Sequence, residues 1–128
     1  DLPPGFPSAY NFLNQLNVAA STATNLLISF SNYGKKNVHV GAPGVGIFST
    51  VPNNQIESMS GTSMAAPVVS GAAALLMSAV PSASAAQVKT ALIQSVDKNA
   101  SFPLEVSSGG VINVSKALTA LKSTLGLP

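Results

Sequence analysis

The 128-residue sequence predicts an α/β fold. Two observations lead there. Short apolar runs alternate with turn residues through the first half, and apolar residues at helical spacing dominate the second. Residues 58–88 carry no charge, so a long segment must be covered by other protein or by lipid.

The elements follow in chain order. Residues 1–17 are turn-rich, with Pro3, Pro4, Gly5 and Pro7 followed by Asn11, Asn14 and Asn17. Val18-Ala19-Ala20 reads as a short buried strand. Leu26-Leu27-Ile28-Ser29-Phe30 is a second apolar run, closed by the turn residues Ser31-Asn32-Tyr33-Gly34. Val38 to Gly44 reads as a strand leaving through a Pro/Gly bend, and Ile47 to Val51 as another ending at Pro52-Asn53-Asn54. Gln55 to Ser60 is expected only as a turn-bounded segment. A helix is predicted from about Ser63 to Val80, with Pro67 tolerated in its first turn, where the missing N–H has no intrahelical partner. Pro81 ends it. Ser82 or Ser84 caps a second helix over about Ala85–Ser95, with Val88, Ala91 and Leu92 on one face. Gly109-Gly110 leads into a short strand at Val111–Asn113. A final amphipathic helix over about Ser115–Leu125 turns Ala117, Leu118 and Leu121 inward.

Composition narrows the function classes. Charged residues make up 8% of the chain against 46% hydrophobic, whereas about 25% charged is usual for a soluble domain. A surface so poor in charge fits a piece of a larger domain better than an independent one. The six basic residues are all lysines, and arginine forks dominate specific base contacts, so no nucleic-acid partner is expected. The absence of cysteine rules out disulfides and cysteine metal sites. Met64 to Val80 approaches the length of a membrane span, but Pro67, Ser70 and Ser78 lower its hydropathy and no aromatic or basic anchors flank it. A core helix is expected, and no membrane span. Asn99-Ala100-Ser101 and Asn113-Val114-Ser115 are glycosylation sequons, which a Ser-rich chain also produces by chance.

Ser63 stands where the long helix starts. A serine hydroxyl needs a neighbouring base to act as a nucleophile. At a helix start its own N–H lacks an intrahelical acceptor and can face a developing oxyanion. Taken alone, such a serine also reads as an ordinary N-cap. The surrounding residues decide between these readings. Gly61-Thr62-Ser63-Met64-Ala65-Ala66-Pro67 closely resembles the nucleophile motif of the subtilisin-like serine proteases, the subtilases. The resemblance extends to Ser29-Phe30-Ser31-Asn32-Tyr33-Gly34, to Val38-His39-Val40-Gly41-Ala42-Pro43-Gly44, and to Gly110-Val111-Ile112-Asn113. With Gly5-Phe6-Pro7-Ser8-Ala9-Tyr10 it covers about residues 5–120.

The resemblance implies the three-layer subtilisin-like fold, with a mainly parallel sheet and a buried nucleophile helix; residues 1–128 would be the C-terminal part of the peptidase domain. It implies a serine endopeptidase acting on a peptide or protein substrate through an acyl-enzyme at Ser63. Ser63 N–H would be one oxyanion donor and Thr62 a secondary one. Gly5 would form the floor of the substrate pocket. Subtilases supply their triad in the order Asp, His, Ser, so Asp, His and the oxyanion-hole amide are expected before residue 1, and the chain alone is expected to be catalytically incomplete. The N-terminal half of the same domain and an inhibitory propeptide are the implied partners, with a secreted or secretory-pathway location. Carbonyls near Ser8 and Tyr10 match a weak cation site of some subtilases, which allows a structural calcium; the chemistry needs no cofactor. His39, the sole histidine, stands where the family usually has Asp, and is expected to be structural. A pseudoprotease scaffold or protein-binding module is the alternative function.

Overall fold

A computed structural model describes residues 6, 8–10, 12–102 and 106–128. Its main sheet has the order β1-β2-β6-β5, with β1 Val18–Ser21, β2 Val40–Pro43, β6 Gly110–Val111 and β5 Asp97–Lys98. β1, β2 and β6 run parallel, and β5 closes the edge antiparallel to β6. Three helices, α1 Thr62–Ala79, α2 Ala85–Gln94 and α3 Val114–Thr124, follow the strands that support them. Strand–crossover–strand connection with parallel pairing is the α/β arrangement expected from the sequence.

Strand side chains alternate between faces, and the two halves of the core divide accordingly. Ala20, Val40 and Ala42 meet Ala65, Val69, Ala72 and Leu76 of α1, together with Val88 and Leu92 of α2 and Leu121 of α3. Ala19 and Val111 instead pack with Val38, Phe102 and Val106. Alanine predominates where α1 crosses the strands, which lets a helix axis come close to the sheet without a cavity.

Only one stripe of α1 is buried. Ala65, Val69, Ala72 and Leu76 face the sheet, while Leu75 is 62% exposed and Met77 44%. By length and composition α1 is also apolar enough to cross a membrane, with 22% of its span buried here.

Helix ends follow their local chemistry. Ser84 caps α2 in a capping box: its hydroxyl accepts from Gln87 N–H while the Gln87 side chain accepts from Ser84 N–H. Asn113 caps α3 by accepting from Lys116 N–H, and its amide donates to Asp97 Oδ2 at 2.9 Å. Lys116 Nζ reaches the other Asp97 oxygen at 2.7 Å. The Lys116 hydrogen bond, then that from Asn113, holds the Asp97 carboxyl below the usual range. Both sequons are thus engaged, since Asn99 Oδ1 accepts from the N–H and hydroxyl of Ser101.

One segment differs from the sequence expectation, and one apolar run takes an irregular form. Gln55–Met59 is not merely a turn-bounded segment but strand β4, paired antiparallel with β3 Ile47–Val51 from Ile47↔Met59 to Val51↔Gln55. Asn53 (φ 68°) and Asn54 (φ 55°) take left-handed conformations that asparagine tolerates, closing the hairpin. The hairpin is largely exposed, so it leaves no alternating apolar signature. Leu26–Phe30 forms no strand. It runs beside β1 through an isolated Ser21↔Leu27 bridge, while Ser31 Oγ accepts from Ala20 N–H at 2.8 Å.

His39 joins the entrances to β1 and β2. Its Nδ1 accepts from Asn17 N–H at 3.0 Å, and its own N–H donates to Asn17 O at 2.9 Å. Accepting at Nδ1 requires the neutral ring. Burial, then the nearby Lys89 ammonium, lowers the imidazole pKa below its ordinary 6.5. Lys89 itself donates to Leu13 O at 2.9 Å. A lowered folded-state pKa means the unfolded chain binds a proton that the folded chain does not. The His39 contribution is therefore fully present above pH 6.5 and declines as the pH falls from there to the folded-state pKa. Melting temperature measured across this range should fall with acidification, and His39→Gln should flatten that part of the profile.

Candidate active site

The start of α1 is positioned by backbone contact between two glycines. After β2 the chain bends at Gly44, whose N–H donates to Ser21 O at 3.0 Å and whose carbonyl accepts from Gly61 N–H at 2.8 Å. A Cβ at Gly44 would lie 2.7 Å from Ala20 Cβ and 2.8 Å from Gly61 O. No side chain fits there without moving either β1 or the helix start.

From Gly61 the helix begins at once. Met64 N–H and Ala65 N–H both donate to Gly61 O, at 3.1 and 3.2 Å. No side chain caps this end. Among the described residues, Thr62 N–H and Ser63 N–H have no backbone acceptor, as the first turn of a helix requires. The Ser63 side chain is exposed beside these donors. Positive dipole character at this end favours negative charge in the same space.

Gly61 is extended, at φ 160° and ψ 165°, a backbone that any residue adopts. A Cβ there would lie 3.8 Å from Ser63 N and 3.6 Å from Met64 Sδ. These are ordinary contact distances. What the missing side chain provides is open access to the Ser63 N–H.

Thr62 has a side-chain partner in the Ser29–Gly34 turn. Its Oγ1 accepts from Asn32 Nδ2 at 3.0 Å, which leaves its own hydrogen available to donate. Asn32, within the Ser29–Gly34 turn, therefore orients the Thr62 hydroxyl. Sequence reasoning noted that turn for its resemblance but assigned Asn32 no role, because its partner lies 30 positions away.

Three other titratable side chains, His39, Asp97 and Glu57, do not converge on Ser63. His39 precedes β2, whereas Gly44 follows it; at about 3.3 Å per residue they stand roughly 16 Å apart along the strand. The His39 Nδ1 is also occupied by Asn17. Asp97 is bound to Lys116 and Asn113, and Glu57 lies on the exposed hairpin strand β4. Among the described residues no group of three His, Cys, Asp or Glu could hold a metal ion. Gly5, the expected pocket floor, lies outside the described residues, as does Pro7 of the Phe6-Pro7 dipeptide.

Comparison with known proteins gives a consistent result. The model of the subtilase family matches residues 1–112. Subtilisin DY of Bacillus licheniformis is 43% identical over 88 residues, covering 69% of this chain and 31% of its own length. Thermitase of Thermoactinomyces vulgaris is 42% identical over 95 residues, covering 74% and 32%. Subtilisin-like protease 2 of Plasmodium falciparum is 45% identical over 78 residues, covering 61% and 6%. The chain thus spans a third or less of the length of these relatives. Among solved structures, the self-cleaved protease domain of PatA superposes with a TM-score of 0.79 at 34% identity, covering 92% of this chain and 44% of that one. A structure of the subtilase cytotoxin SubAB assembly gives 0.79 at 32% identity, covering 93% and 42%.

The two glycines at the helix start should behave oppositely on substitution. Gly44→Ala should cost the intact protein about 1–3 kcal/mol through overpacking, whereas Gly61→Ala should change stability by no more than about 0.5 kcal/mol. Denaturant titration of both variants checks this.

Proposed function

This chain belongs to the subtilase family, and on that premise we propose that Ser63 is the nucleophile of a serine endopeptidase acting on peptide or protein substrates. One observation carries the reading: an exposed hydroxyl beside Ser63 N–H, which has no backbone acceptor among the described residues, at a helix start left open by Gly61. Ser63 Oγ attacks the scissile carbonyl carbon while a base takes its proton. The carbonyl oxygen becomes an oxyanion facing the Ser63 N–H, with the Thr62 hydroxyl as a secondary donor. Collapse expels the amine, which receives the proton from the base, and leaves an acyl-enzyme that water hydrolyses.

The base is not His39, whose ring is committed to the β1–β2 entrance. The catalytic Asp and His and the second oxyanion donor belong to the N-terminal half of the same catalytic domain. That half also covers the exposed side of α1, where Leu75 and Met77 now face outward. Packing of the opposite stripe against β1 and β2 supports a core helix over a membrane span. Gly5 floors the substrate pocket, an inhibitory propeptide is a further partner, and the protein acts outside the cell or in the secretory pathway.

In the intact protein, Ser63→Ala should lower turnover by about 10⁶-fold, the loss recorded for the same role in subtilisin. A serine-directed fluorophosphonate should label the native protein and not the variant. Normal turnover by the variant, or a native protein that stays unlabelled, would point instead to a non-catalytic scaffold. Coverage of α1 is tested separately. Leu75→Ala should cost the intact protein about 2–5 kcal/mol, as for a core leucine, and a cost below about 0.5 kcal/mol would show that this face remains in solvent.

A further inference from the structure

The turn Ser8–Tyr10, the approach to β1 and the loop before β2 meet at one buried polar side chain. Asn17 is 8% exposed. Its Nδ2 donates to Ser8 O at 3.0 Å and to Asn37 O at 2.6 Å. Its Oδ1 accepts from Gln15 Nε2 at 2.7 Å. Its backbone N–H and C=O both pair with His39. Two carbonyls from segments far apart in sequence thus point at one amide nitrogen, in the way that carbonyls converge on a cation.

This is the region where the family resemblance allows a cation on the carbonyls near Ser8 and Tyr10. The residues present do not fit one. Calcium takes six to eight oxygen ligands at about 2.3–2.6 Å, commonly including carboxylates. Here the Ser8 carbonyl is engaged by a donor, and the amide hydrogens bring partial positive charge where an ion would need lone pairs. A full positive charge stands close by as well. Lys89 Nζ donates to Leu13 O, and its field is felt at His39. The neighbouring imidazole offers no anionic ligand, and its Nδ1 lone pair is spent on Asn17 N–H.

We propose that the Asn17 amide takes the place of a metal ion at this junction, cross-linking Ser8 and Asn37 by hydrogen bonds that a cation would otherwise replace. The amide performs the ion's structural task, which is to satisfy converging carbonyls that would repel one another if left bare. It does so with no dependence on ion concentration. Elsewhere in the intact protein other ions can bind without bearing on this junction, so the test must be local.

Crystals of the intact protein soaked in terbium, an anomalous-scattering stand-in for calcium, give that local readout. No anomalous peak is expected within about 3 Å of the Ser8 carbonyl oxygen, a generous allowance on the oxygen–metal distance. A peak there with the Asn17 amide displaced would overturn the proposal. Asn17→Asp supplies the complementary test, since it replaces two donors with a carboxylate in the same frame of carbonyls. Calorimetric titration should then count one more calcium site than in the native protein. Its melting temperature should rise with calcium by roughly 5–10 °C more than the native protein's at a hundred-fold excess over Kd. An Asn17→Asp protein with the native number of calcium sites would show that the junction has no cation-like geometry. If that variant does not fold, the terbium experiment on the native protein decides alone.

Discussion

The hydrogen bond from Gly61 N–H to Gly44 O is the constraint on which the rest of the site depends. It ties the bend after β2 to the residue before α1, with Ala20 and Ala65 filling the little space left around Gly44. A helix joined to a sheet at a backbone contact of 2.8 Å cannot slide along its axis without breaking that bond. Its first N–H groups therefore hold a defined direction relative to the strand ends. Charge developing beside Ser63 would meet donors already in place, and none of the cost of orienting them would fall on the reaction step. On the proposed reading, the small residues at this crossing would serve the chemistry by fixing the helix start, although none of them would touch a reacting atom.

The same helix carries two different surfaces. One stripe, from Ala65 to Leu76, is sealed against β1, β2 and the other helices. The other presents Leu75, Met77 and several alanines outward, without a charged residue anywhere along it. A solvated helix face of this length ordinarily carries Lys and Glu. The lack of charge between residues 58 and 88 and the exposure of Leu75 are therefore two views of one fact. Such a surface is what the proposed covering of α1 by the other half of the catalytic domain would require.

Much of the fold was legible because burial writes periodicity into sequence. Val18–Ala20, the bend at Pro43-Gly44, the cap at Ser84 and the inward Ala117 and Leu121 all follow from local rules, whereas Asn113 reads as the end of a strand and is instead the cap of α3. β4 was not legible, since its residues face solvent and carry no alternation; only the two asparagines of its turn hinted at it. The motif around Ser63 placed that residue at a helix start, where the structure also has it, one position inside Thr62. Asn32 and Asn17 escaped notice for a different reason. Each is a polar residue in a turn-rich segment, where an asparagine has an adequate local explanation, and each acts on partners that only the tertiary fold brings near.

Asn17 and His39 show how a single exchange of charge type spreads through a junction. With His39 where the family usually has Asp, the strand entrance offers a neutral acceptor in place of an anion. Burial, and then the Lys89 charge, favour the neutral ring, which preserves its lone pair for Asn17 N–H. An anion at position 39 would instead draw Lys89 or a metal ion toward itself and pull on the same carbonyls that Asn17 now bonds. The amide and the ammonium donate to carbonyls while the neutral imidazole accepts from Asn17 N–H, so the junction is satisfied without negative charge.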